Sequence, residues 1–100
     1  MKGMIVNMAT VIRPGQAGTL ESSDIMVIVA PAEPGTGLKI ELTSPVIKQF
    51  GVQIQKVIRD TLMEHGVNNA TVHANDKGAL DCTICARVTT AISRATLQEV

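Results

Sequence analysis

A chain of 100 residues, 45% hydrophobic and 18% charged, is long enough for one domain with a modest core and too apolar to stay unfolded. Nine basic against nine acidic side chains leave no net charge, and Phe50 is the only aromatic residue. A nucleic-acid surface needs excess cations and several stacking rings, so that class is excluded.

Residues 1 to 16, ending in the turn signal "RPGQ", read as a flexible leader, and residues 17 to 100 as a single domain. "IMVIVA", Ile25 to Ala30, is short, continuously apolar and closed by Pro31, which predicts a buried strand. "PAEPGTG" is a loop. "LKIELT" alternates Leu38, Ile40 and Leu42 against Lys39, Glu41 and Thr43, the pattern of a half-buried strand, and antiparallel pairing of these two strands is expected. A helix is predicted over 45–65, with Ser44 as N-cap, Pro45 at the first helical position and Gly66 just past the end. Val46, Ile47, Phe50, Ile54, Val57, Ile58 and Leu62 form its apolar stripe. "NATVHAND" alternates again and predicts a strand over 70–75. From Ala79 the spacing of Leu80, Ile84, Val88, Ala91, Ile92 and Ala95 predicts a last helix. The expected fold is α+β, a two-layer ββαβα domain with a small sheet and two amphipathic helices packed on it.

Candidate chemistry is sparse. Cys82 and Cys85 form a C-x-x-C near a helix start, but the flanks of a thiol-redox site are missing and no second ligand pair stands by for zinc. Small packing residues, with no metal, are the expectation. His65 suits a helix end, and His73 the polar side of its strand. No phosphate-binding glycine loop is present. In "AGTLESSD", residues 17 to 24, Ser22 and Ser23 lie between acidic residues with no neighbouring base. They are either a solvated strand entrance or hydroxyls that another enzyme modifies. No stretch approaches the ~20 apolar residues that cross a bilayer. The first residues lack a continuous apolar run with a cleavage site, so a cytoplasmic location is expected.

"AGTLESSDIMVIVAP", "KQFG" and "DKGALDC…AR" together, in this order and spacing, resemble the citrate lyase acyl carrier protein (gamma chain) family from about Ala17 to Ala95. The resemblance implies a carrier subunit with no catalytic residues of its own. Its serine after the Glu of A-G-T-L-E-S, here Ser22 with Ser23 as second choice, would covalently carry 2'-(5''-phosphoribosyl)-3'-dephospho-coenzyme A. That group would hold acetyl and citryl thioesters while citrate is cleaved to acetate and oxaloacetate. The implied partners are citrate lyase alpha and beta chains and a prosthetic-group transferase, with no nucleic acid and no membrane. A carrier for malonate decarboxylase is a near neighbour of this reading. A small α+β interaction or ligand-sensing module with unmodified Ser22 is the alternative from another class, and a thiol-redox protein using Cys82 and Cys85 is the third.

Overall fold

The computed structural model describes residues 9–97. The elements are β1 (Gly15–Ala17), β2 (Ile25–Ala30), β3 (Leu38–Thr43), α1 (Ile47–Glu64), β4 (Ala70–Asp76) and α2 (Asp81–Ala95). One four-stranded sheet, ordered β1-β2-β4-β3, carries both helices. This is the expected two-layer α+β fold with one strand more. The core is aliphatic throughout. Ile25, Val27 and Val29 of β2 and Ala70, Val72 and Ala74 of β4 turn one face to the helices. Ile54, Ile58 and Leu62 of α1 and Ile84, Val88, Ala91 and Ala95 of α2 meet them there. Each fully buried Val, Ile or Leu contributes roughly 1.5–3 kcal/mol by leaving water.

The strand pairing differs from the expectation. β4 lies between β2 and β3, antiparallel to β2 with Ile25 opposite Asp76 and parallel to β3 with Leu38 opposite Ala70. The loop Pro31–Gly37 is longer than the usual hairpin connection of roughly 2–5 residues. A helix between two strands is the normal crossover for a parallel pair, so β3-α1-β4 takes the neighbour position that β2 was expected to hold. β3 is left at the sheet edge, where Lys39 and Glu41 blunt it against further pairing.

Both helix starts also differ. α1 begins at Ile47 with Val46 as N-cap and no side-chain cap. Ser44 instead accepts from the Val46 N–H at 3.1 Å and donates to Asp76 Oδ2 at 2.8 Å. The fully buried Asp76 also accepts from the Ala79 N–H at 2.9 Å. One carboxylate thus ties the approach to α1 to the turn before α2. The stripe of α1 buries only from Gly51 onward, and Ile47 and Phe50 project past the sheet. At the other end Gly66, at φ 76°, closes α1. Its N–H reaches Met63 O, and the Val67 N–H reaches Leu62 O, the paired bonds of a Schellman motif.

Of the expected leader, residues 1–8 lie outside the described residues. From Ala9 onward the chain is joined to the domain. The Ala9 N–H donates to Gly66 O at 3.0 Å, Val11 bridges Thr96, and β1 pairs with β2. β1 lies so close to α2 that a Cβ on Gly15 would fall 2.3 Å from Ala91 O and 2.6 Å from Ala95 N.

Candidate functional site

The segment from Gly18 to Asp24 leaves β1, reverses and enters β2. Gly18 starts the reversal at φ 92°, with its Cβ position only 1.8 Å from Ile25 O, so no other residue fits that approach. The Asp24 N–H donates to Glu21 O at 3.1 Å and closes a turn whose third residue, Ser23, has φ 68°. A serine there is uncommon, since L side chains are strained in the left-handed region. What holds it is the sheet: the Ser23 N–H donates to Lys77 O, and the Lys77 N–H donates to Asp24 O, each at 2.8 Å. These bonds carry the β2–β4 ladder one step beyond the strands.

The pin of the turn is Asp24. It is nearly buried, and its carboxylate takes a two-pronged grip from Arg87, Nε to Oδ1 at 3.0 Å and Nη2 to Oδ2 at 2.8 Å. The Thr19 hydroxyl donates to Oδ2 at 2.6 Å and the Ile25 N–H to Oδ1 at 2.7 Å. Thr19 Oγ1 also accepts from the Glu21 N–H at 3.2 Å. The Arg87 guanidinium foremost, then Thr19 and the Ile25 N–H, hold the Asp24 carboxyl well below the usual carboxylate range. The same contact raises Arg87.

Ser22 and Ser23 are both exposed, and among the described residues neither hydroxyl has a hydrogen-bond partner. Leu20 beside them is also exposed. The turn therefore offers free hydroxyls on a backbone held from below. Among the described residues no imidazole is hydrogen-bonded to either hydroxyl. His65 sits at the far end of α1, 3.3 Å from Thr89 Oγ1, and His73 lies on the open sheet face, 3.1 Å from Glu41. Neither is brought to the serines.

Cys82 and Cys85 are free and exposed, which corrects the expectation of packing residues. The buried stripe of α2 runs through Ile84 and Val88, and the thiols fall beside it. Cys85 Sγ accepts from the Thr61 hydroxyl at 3.5 Å. No group of three or more metal-ligating side chains occurs among the described residues. Sequence reasoning missed Thr19, Asp24 and Arg87 as supports of the turn. Thr and Asp are ordinary turn residues, and the partner that gives Asp24 its role stands 63 residues away.

At the same end of the molecule, a cleft of about 420 Å³ opens between the start of α1 and the β4–α2 turn, with Phe50, Ile54 and Leu80 among its walls.

The sequence profile of the family described as "Malonate decarboxylase delta subunit (MdcD)" matches residues 12–95. The chain is 54% identical over 85 residues to a citrate lyase acyl carrier protein of Rhodopseudomonas palustris, covering 85% of this chain and 86% of that one. It is 58% identical over 84 residues to its counterpart in Streptococcus mutans, covering 84% and 81%. Among solved structures, a chain of a Pseudomonas malonate decarboxylase hetero-tetramer in complex with malonate superposes with a TM-score of 0.64 at 18% identity, over 84% of this chain and 89% of that one, a likeness of fold.

Proposed function

The chain belongs to the citrate lyase acyl carrier protein family, and from that premise we propose that Ser22 is the residue on which it carries its covalent prosthetic group. The observation that carries the proposal is a hydroxyl that is exposed, without an internal partner, and set on a turn anchored through Asp24. The residues fit a covalent arm: nothing among the described residues occupies the hydroxyl, and the Lys77 backbone holds the turn through the Ser23 N–H. Ser23 is the second choice. Its left-handed backbone and its N–H bond to Lys77 tie it to the sheet, whereas Ser22 stands at the bend.

The group proposed is 2'-(5''-phosphoribosyl)-3'-dephospho-coenzyme A, which when bound supplies a thiol that holds acetyl and citryl groups as activated thioesters. What the chain does is present and position. In attachment Ser22 Oγ would attack the phosphorus of a polyphosphate-activated form of the group, one P–O bond forming as another breaks and diphosphate leaves. The proton it loses would go to a base of the transferase, because among the described residues no imidazole is hydrogen-bonded to it. The network around Asp24 keeps the attachment point rigid while the far end of the arm swings. The tether keeps the acyl group at high effective concentration near each partner site. The chain is thus a non-catalytic subunit, with citrate lyase alpha and beta chains and the transferase as partners. The relatives above half identity are named for citrate lyase, which favours citrate over malonate. Two exposed unpaired cysteines suit a reducing, cytoplasmic setting.

The test is an intact mass of the chain from its native cells, with the added group mapped to one residue. Ser22→Ala should abolish attachment and citrate cleavage by the reconstituted complex and leave the fold unchanged, since an exposed hydroxyl contributes within about 0.5 kcal/mol. Ser23→Ala should still be loaded. The opposite pair of results moves the site by one residue. No modification on either serine leaves the interaction-module reading in its place.

A further inference from the structure

The cleft beside the turn has features that a carrier scaffold does not need for folding. Phe50, the only aromatic residue, is 54% exposed on its wall, and Leu80 opposite is 70% exposed. Val46, Ile54 and Ala79 complete an apolar floor. On the rim Gln53 Nε2 donates to Asp81 Oδ2 at 3.0 Å. That bond leaves Gln53 Oε1 and Asp81 Oδ1 as acceptors on two residues that line the cleft. Its volume of about 420 Å³ lies within the range of small-ligand pockets, roughly 300–1,000 Å³. One ring is too few for a nucleic-acid track but sufficient for one base.

Position selects the occupant. The Ser23 N–H is bonded to Lys77 O at 2.8 Å, and the cleft wall begins at Gly78. Whatever is attached at Ser22 therefore starts at the lip of the cleft. In the group proposed above, one phosphate and two riboses separate the serine oxygen from an adenine ring, and the thiol lies at the far end. We infer that the cleft formed by Phe50, Gln53, Leu80 and Asp81 seats the adenine of the arm attached at Ser22. This rests on the carrier reading of Ser22. The apolar floor and Phe50 take the ring faces, and the Gln53 and Asp81 oxygens accept from the exocyclic amine. Lys77, exposed and next in the chain to Gly78 of the cleft wall, is a cation available to the phosphates. A short tether supplies an effective concentration on the order of millimolar, so a weak site suffices. The base becomes a fixed pivot and the thiol end remains free.

Two measurements test this. In the labelled chain carrying the group, nuclear Overhauser contacts are expected between the adenine protons and Phe50 and Ala79. Phe50→Ala should remove them without altering the mass. In the unmodified chain, adenosine monophosphate should shift the resonances of Phe50, Gln53, Ala79 and Leu80. Inosine monophosphate, with an acceptor where adenine has a donor, should bind several-fold more weakly. Phe50→Ala should weaken the nucleotide roughly tenfold, the lower part of what one base–aromatic stack contributes. A loaded chain whose adenine touches none of these residues overturns the inference and leaves the carrier reading intact. So does a Phe50→Ala variant that keeps its adenine contacts and loses only affinity for a partner subunit, which would make the cleft a subunit contact. A native mass without the added group overturns the carrier reading, and the tethered occupant with it.

Discussion

Asp24 concentrates more interactions than any other side chain near the turn, and its charge is the condition for them. Its carboxyl ionises below the ordinary value of 3.8 in the folded chain, so its contribution to stability is fully present above that value. It is lost as the pH falls from there towards the lower folded value, where the protonated form releases Arg87. The urea midpoint should therefore begin to drop only as the pH falls below about 4, and Asp24→Asn should flatten that part of the profile. The variant should also be loaded more slowly at neutral pH, because the bend around Ser22 loses its anchor. Equal pH profiles for the two proteins would show that the anchor is not Asp24. The proposal of Ser22 comes from the sequence, where an uninterrupted motif surrounds it. Arg87 was not legible there, because a residue in the second turn of a late helix carries no local sign of the strand entrance it grips.

Elements with a clear pattern were legible. β3, α1, β4 and α2 repeat apolar residues every second or every three to four positions, β2 is a short continuous apolar run closed by Pro31, and all form close to where these patterns place them. β1 escaped because "GQA" is too short to show a period and owes its place to contact with α2. That contact makes a sharp prediction. Gly15→Ala puts a methyl against backbone atoms of Ala91 and Ala95, which cannot swing aside as a side chain would. Overpacking of this kind costs about 1–3 kcal/mol, with the upper end expected here. It should appear as a lower urea midpoint at unchanged slope. The neighbour order of the strands was the other miss. Alternation says which face of a strand is buried and nothing about which strand lies beside it. That information sat in the intervening helix, whose crossover makes β3 and β4 partners.

At the scale of the whole molecule, both helices begin at the end that carries the Ser22 turn, and both finish at the other. The order of the parallel β3-α1-β4 unit and the antiparallel β2–β4 pair requires this. Helix N-termini are the positive ends of their dipoles, so both dipoles point their positive ends to the pole where the phosphate-bearing arm is proposed to start. The opposite pole has its own feature: Val11 is bridged to Thr96 there, so the two ends of the described chain lie side by side. Such a protein is topologically a near-closed ring, and where a ring is cut matters little to its shape. A circular permutant, with residues 9 and 97 joined by a short flexible linker and new ends opened between Ala32 and Glu33, should fold. The Asn69 bonds to the N–H groups of Gly35 and Gly37 would stay with β3. Loading at Ser22 at an unchanged rate, with thermal stability near that of the parent, is the expected outcome. A permutant that fails to fold would mean that chain order, and not only chain adjacency, is built into the scaffold.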